Sequence, residues 1–325
     1  MKTIAFFNNK GGVGKTSLVY HLAWMFADLG YRVVAADLDP QASLTAMFLE
    51  EERLAELWED EGVTTIHGAV EPLGDIRPAT LVSLNDQLAL LPGDVGLSAF
   101  EDVLADGWGK CHQGDPRGYL VVSSLARVLV RAANDRAADV VLVDVGPSLG
   151  AINRAALLGA DHIVLPVAAD LFSIVGLEHL GPTLRRWRQG WQRLLATRPP
   201  ELEHELPKGE LAALGYVTML YAISAQSRPT QAHHRWMKKI PEVYRRAVLD
   251  LEDPAPASVE TDPECLGVLK HYRSLLPMAQ DARKPIFRLR PADGAMGSHA
   301  RAVHDAHRDF EQLARSIARR GGVEQ

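Results

Sequence analysis

Cysteine is scarce in this chain. Only Cys111 and Cys265 occur among 325 residues, too few for a disulfide framework and at a spacing that fits no metal site. No apolar run approaches the roughly 20 residues needed to span a bilayer. Met1 leads straight into a strand-like run, without the pattern of a signal or transit peptide. These absences point to the cytoplasm. Internal repeats and low-complexity tracts are also missing. A net charge of −6 does not exclude nucleic acid, because only the face that meets phosphate has to be basic. With 47% hydrophobic residues, the chain can bury a full core.

The most informative segment that is present follows the apolar run Ile4 to Phe7. It reads Asn9-Lys10-Gly11-Gly12-Val13-Gly14-Lys15-Thr16 and opens a helix. Successive backbone N–H groups can turn inward around a phosphate only where a Cβ does not obstruct them, and Gly11, Gly12 and Gly14 meet that need. In such a loop Lys15 reaches the β- and γ-phosphates, and the Thr16 hydroxyl takes a place on Mg²⁺. The ordinary pattern would place a glycine at position 9. Asn9 stands there instead, followed by a second lysine, Lys10. A lysine at the loop tip is better placed to reach a neighbour's phosphates than its own.

The rest of the chain alternates. Thr16 to Leu29 carries an apolar helical face stopped by Gly30, and short apolar runs recur at 88–91, 140–143, 162–167 and 214–221. Helical stretches near 118–135, 173–198 and 229–250 separate them. Strands alternating with helices predict an α/β fold with a doubly wound, mostly parallel sheet and helices on both faces. We expect one domain over 1–325, with loop insertions near 106–118, 199–209 and 251–265, where Gly, Pro and polar residues gather.

The K-G-G-x-G-K-[ST] loop seen as Lys10 to Thr16 resembles the deviant Walker A ATPases of the ParA/MinD class, closest to the Soj-like partition ATPases. Two further segments carry the likeness. Asp37-Leu38-Asp39-Pro40-Gln41 looks like the family's D-x-D-P-Q switch I, and Val140 to Ser148 looks like its Walker B and switch II segment. The family usually reads D-x-P-P in the latter, where this chain has Gly146 in place of the first proline. The resemblance implies ATP and Mg²⁺ as cofactors, held by Lys10, Gly11, Gly12, Val13, Gly14, Lys15, Thr16 and Ser17. It implies that Asp39 orients the attacking water, that Asp144 holds Mg²⁺ through water together with Thr16 and Asp39, and that Lys15 and Lys10 complete the catalytic set. Lys10 would act on the nucleotide of the opposite subunit in an ATP-bound homodimer. Adenine is the expected base, because the N-K-x-D motif of guanine-specific relatives is absent. Thr218 to Leu220 and Leu276-Pro277 resemble the segments flanking adenine, making Met219 and Pro277 candidates for its faces. The cysteine count argues against the iron-protein branch of the superfamily.

What such a switch acts on depends on its surface. Arg185, Arg186, Arg188, Arg193 and Arg198 interleave with Trp187 and Trp191. A second cluster, with Arg228, Lys238, Lys239, Arg245 and Arg246, follows the strand at 214–221, where family members place DNA-binding arginines. Each cluster also fits the solvated face of an amphipathic helix. At the C-terminus Val303, Ala306, Phe310, Leu313 and Ile317 form one modest apolar stripe, which suits a helix docked on the sheet better than a membrane anchor. The histidines, including His233, His234, His299, His304 and His307, lack the accompanying spacing of a metal site. The resemblance therefore implies a slow, partner-stimulated ATPase for plasmid or chromosome partition. As the ATP dimer it would bind non-specific DNA at the nucleoid and answer to a ParB-like stimulator. A positioning ATPase for a protein or membrane cargo, or a weakly hydrolysing interaction protein, are the alternatives.

Overall fold

The structure is a computed structural model that describes residues 1–59, 64–202, 204–219, 231–253, 256, 258–270, 272 and 274–324, with the side chains of 231–234 outside that set. The first half runs β1 (Lys2–Phe6), α1 (Lys15–Asp28), β2 (Val33–Leu38), α2 (Ser43–Phe48), α3 (Glu51–Glu59), α4 (Ile66–Val70), β3 (Val82–Ser83), β4 (Leu88–Leu91), α5 (Phe100–His112) and α6 (Pro116–Asp135). The second half runs β5 (Val140–Val145), α7 (Ala151–Leu158), β6 (His162–Ala168), α8 (Leu171–Ala196), β7 (Ala212–Met219), α9 (Gln231–Val243), β8 (Cys265–Leu269), α10 (Leu275–Asp281) and α11 (Ser298–Gly321). A π-helical turn, Tyr244–Leu249, extends α9.

Eight strands form one sheet in the order β3-β4-β2-β5-β1-β6-β7-β8, and every pair is parallel except β3 with β4. The pattern follows from the strands' composition. All six residues of Val-Val-Leu-Val-Asp-Val in β5 are buried, as expected of a strand covered by helices on both faces. Along β1 the side chains alternate. Ala5 and Phe7 join the core on one face, with α4, α6, α7 and α8. Ile4 and Phe6 join the core on the other, under α1 and α11. β1 lies between β5 and β6 although its own crossover leads to β2, so the winding reverses beside it. In open α/β sheets that reversal leaves a crevice at the carboxyl ends of the strands.

The C-terminal stripe packs as its spacing predicts. Ala306, Phe310, Leu313 and Ile317 are buried against the second core, with Val303 partly buried beside them. Among the described residues no helix is long and apolar enough to cross a membrane.

The stretch 106–118 departs from expectation. It is the end of α5, a short turn and the start of α6, rather than a solvated loop. Its glycines mark a helix crossing. A Cβ on Gly107 would press on Val121 at 3.0 Å, and one on Gly118 would meet the backbone of Cys111 at 2.7 Å. Asp115 caps α6 through the Arg117 N–H at 2.9 Å, and Pro116 opens it. Residues 199–209 are irregular where described, and Leu202 and Leu206 pack onto the small apolar cluster that includes Trp108 and Trp191. The described part of 251–264 is also irregular, before Cys265 opens β8.

Candidate phosphate-loop site

The loop between β1 and α1 sits over the crevice. Gly12 and Gly14 hold φ angles of 74° and 88°, in the left-handed region that glycine enters without a Cβ penalty. Gly11 and Gly12 face open space, with nothing within 4 Å of a built Cβ. The cradle is therefore concave and unfilled by the chain itself. Asn8 anchors its rim by accepting the Lys10 N–H at 2.8 Å and donating to the Pro166 carbonyl.

The side chains that resemblance nominated converge here from three strands. Parallel register sets Asp144 beside Phe6 on one side and beside Asp37 on the other. Lys15 ion-pairs with Asp144 Oδ1, and both side chains are buried. The second oxygen, Asp144 Oδ2, is buried without a hydrogen-bond partner. Burial raises the Asp144 carboxyl above its ordinary range, against the pull of Lys15 and the Thr16 hydroxyl, and Asp39 adds to the rise. Burial and then Asp144 push Asp37 up to about 7, although the Thr45 N–H and hydroxyl both donate to it at 2.8 Å. Asp37 thus braces the start of α2. Asp39 accepts the Gln41 N–H at 3.0 Å. A Cβ on Gly146 would stand 3.4 Å from Asp39 Oδ1, so the loop after β5 faces the Asp39 carboxylate with no side chain between them at that position.

Lys10 does not reach back to its own loop. Its Nζ lies 2.5 Å from Asp170 Oδ2, and both side chains are about one-third exposed. Asp170 also caps α8 through the Ser173 N–H at 2.9 Å. Against the burial that raises it, Lys10 and Ser173 hold Asp170 below the usual carboxylate range.

Beside the loop lies a cavity of about 180 Å³ lined by Gly14, His21, Met219, Tyr272, Leu276 and Phe310, among others. Met219 is on it. Pro277 is exposed and outside its lining, where the neighbouring Leu276 stands instead. His21 is fully buried. Its Nδ1 lies 2.6 Å from the Ser17 carbonyl, its Nε2 has no partner, and burial lowers it to about 4. A larger cavity of about 880 Å³ opens at the opposite edge of the sheet, between Lys2, Arg131, Asp161 and Lys208. That cavity holds none of the phosphate-loop residues.

The two basic clusters meet where α8 packs on the 244–249 turn. Arg185 donates to the Ala247 carbonyl at 2.6 Å and pairs with Asp250 at 3.2 Å, while Trp187 and Trp191 are core residues. That cluster is partly structural. In the second, Lys238 and Lys239 are exposed on α9, with Lys239 5.3 Å from the Trp236 ring centroid. Arg245 pairs with Asp253 at 3.9 Å, and Arg246 with Glu178 at 2.7 Å. Arg228 lies outside the described residues. No group of three metal-ligating side chains occurs among the described residues.

Local sequence patterns did not disclose several residues of the site. Asn153 donates to the carbonyls of Gly146 at 2.7 Å and Ser148 at 2.6 Å. Glu101 accepts the N–H groups of Ala151 and Ile152 at 2.5 and 3.0 Å. Asp170 with Ser173 three residues on is a readable cap signal, but its pairing with Lys10 is not.

A left-handed glycine loop opening a helix, with a buried Lys–Asp pair and two strand-end carboxylates at the carboxyl edge of a parallel sheet, defines a P-loop nucleotide-binding fold. The family pattern described as AAA domain matches residues 1–196. The chain belongs to that family, and specifically to the ParA/MinD-type ATPases. It is 32% identical over 190 residues to the chromosome-partitioning ATPase Soj of Thermus thermophilus, covering 58% of this chain and 64% of Soj. The matches span about half to two thirds of the length of such curated relatives. Protein DIP2308 of Corynebacterium diphtheriae shares the fold across 98% of both chains, with a TM-score of 0.72 and 24% identity. Cobyrinic acid a,c-diamide synthase of Mycobacterium smegmatis, solved with ADP and magnesium, is similar over 74% of this chain and 82% of its own, with a TM-score of 0.54 and 25% identity.

Proposed function

We propose that the chain is an ATP-driven dimerising switch of the ParA type that rides on non-specific DNA in plasmid or chromosome partition. The observation that carries this reading is the pairing of Lys15 with Asp144 under an open glycine cradle, while Lys10 points away from that cradle. The residues fit Mg²⁺–ATP. The unpartnered Asp144 Oδ2 is a free acceptor for a metal-bound water, and the space in front of Gly11 and Gly12 is open to a phosphate.

Bound Mg²⁺–ATP would supply the scissile phosphoanhydride and the charge that the metal neutralises. Lys15 and the α1 N-terminus then bind phosphate, with Lys15 leaving Asp144 to do so. Thr16 and Asp144 hold the metal. Asp39 accepts a hydrogen bond from the attacking water and orients it, because catalysis in this class consists mostly of positioning and electrostatics. Lys10 leaves Asp170 for a second copy's nucleotide. The exposed apolar side chains Leu171 and Phe172 stand next to Asp170, which suits a surface that a second copy covers. Met219 contributes an apolar wall for adenine, and Lys238 and Lys239 offer charge to DNA phosphates. A ParB-like protein would accelerate turnover, and the ATP state would gather at the nucleoid.

A second reading rests on Arg245 and Arg246. Because both are already ion-paired, the described cationic surface on α9 is narrow, which favours a positioning ATPase with a protein or membrane cargo. Binding of Asp39→Ala protein to random-sequence duplex DNA decides between them. Tight, salt-sensitive binding with ATP and Mg²⁺ only is expected. An ATP-bound dimer that ignores DNA at every salt concentration would refute the DNA-riding reading.

A further inference from the structure

We propose that Glu101 is a positioning residue for ATP hydrolysis, which holds the switch II loop in register from a distance through α7. The inference rests on the functional reading above for its turnover arm, but its structural arm stands without it.

α7 begins three residues after Ser148, and its first N–H groups need acceptors that the helix cannot supply. The cap position is Gly150, which offers no side-chain acceptor. Ser, Thr, Asp or Asn would ordinarily stand there and cap locally. In this chain the task passes to α5, fifty residues earlier. Both carboxylate oxygens of Glu101 are used, one on Ala151 N–H at 2.5 Å and one on Ile152 N–H at 3.0 Å. A Cβ on Gly150 would collide with that carboxylate, so the glycine admits Glu101 rather than freeing the backbone. A second tether lies further along the same pair of helices, where the Arg154 guanidinium covers the Trp108 ring at 3.6 Å.

Asn153 stands between those two tethers. Its side-chain amide reaches back to the Gly146 and Ser148 carbonyls at 2.7 and 2.6 Å, and Gly146 faces Asp39, whose Oδ1 lies 3.4 Å from where a Cβ on that glycine would stand. The path therefore runs from Glu101 through the α7 N-terminus and Asn153 to the loop that faces the water-orienting carboxylate. As far as Gly146, every link outside the helix itself is a hydrogen bond. Gly146 has no side chain with which to pin the loop, and the Asn153 amide ties its carbonyl instead. A local cap would stabilise α7 equally well, whereas this one also makes the position of α5 a determinant of loop geometry.

Glu101→Gln, Glu101→Asp and Gly150→Ala are compared in the full chain by hydrogen exchange over 146–149, by kcat and KM for ATP, and by thermal unfolding. Among the described residues, the hydrogen bonds of Glu101 go to Ala151 and Ile152 of α7 and none goes to 146–149. We expect faster exchange there in Glu101→Gln and Gly150→Ala. We expect kcat lower by about tenfold with KM within about twofold, as for a misplaced group. Glu101→Asp, too short to reach both N–H groups, falls between. Glu101→Ala with Gly150→Ala should be no worse than either alone, since both break the same interaction. If exchange at 146–149 and kcat stay at wild-type levels while only the unfolding midpoint drops, Glu101 is a plain helix cap and the proposal is wrong. If wild-type protein shows no turnover with ATP and Mg²⁺, the functional reading fails, and the exchange comparison alone then upholds or overturns the brace.

Discussion

Acidification should unfold this protein partly through one histidine. His21 lies inside α1 on the wall of the cavity beside the phosphate loop, stacked on Phe310 at 5.0 Å with an interplanar angle of 23°. Tyr20 and Phe287 border the same ring. Its Nδ1 proton goes to the Ser17 carbonyl, and Nε2 has no acceptor to share a second proton. Burial therefore lowers it from 6.5 to about 4. The sign follows from proton counting. Between those two values the unfolded chain carries a proton that the folded chain refuses, so the stabilisation from neutral His21 is full above 6.5 and is lost as pH falls towards 4. Over the whole span this amounts to roughly 3 kcal/mol, of which about 2 kcal/mol is gone by pH 5. Urea unfolding of wild type and His21→Phe at pH 8, 7, 6 and 5 isolates the effect. The phenyl ring keeps the stack, any packing penalty is a constant offset, and the other titrating groups cancel in the difference. Wild type should lose about 2 kcal/mol relative to His21→Phe between pH 8 and pH 5. Parallel curves would refute the burial argument.

Two further outcomes follow from the site's geometry. Asp170→Asn keeps an α8 cap but releases Lys10, so ATP-induced dimerisation should tighten by up to about fivefold, the scale of a part-exposed ion pair. Lys10→Ala should weaken it, and sedimentation with ATP and Mg²⁺ reads both. Replacing Lys238 and Lys239 with Ala should flatten the salt dependence of DNA affinity by about 0.9 in slope for each phosphate that is no longer neutralised. Replacing Arg245 and Arg246 should change it less and lower stability instead, and an equal slope change in both variants would count against the ion pairs as their main role.

The elements that build the sheet were legible because their signals are local. Continuous apolar runs announced β5 and β6, and the loop from Lys10 to Thr16 carries its chemistry in consecutive residues. Asp39 and Asp144 stand out as candidates for the same reason, each at the end of an apolar strand. The misreading of 106–118 shows the limit of such signals. Gly107 and Gly118 read as loop formers, yet they are spent on the close approach of α5 and α6. Trp187 and Trp191, interleaved with arginines in the sequence, likewise fill the core. The ties that set the site's geometry join residues far apart in sequence: Lys10 to Asp170, Glu101 to Ala151, His21 to Phe310. Spacing rules carry no information about such pairs.

If the proposed switch operates, ATP assembles two copies and hydrolysis releases them. Sedimentation of Asp39→Ala protein with ATP and Mg²⁺, with ADP, and without nucleotide puts this to the test, because loss of the water-orienting carboxylate should arrest the cycle in its assembled state. A dimer with ATP and Mg²⁺ alone is the expected result. A monomer in every state, with ATP shown to be bound, would overturn the switch, as would a dimer indifferent to nucleotide.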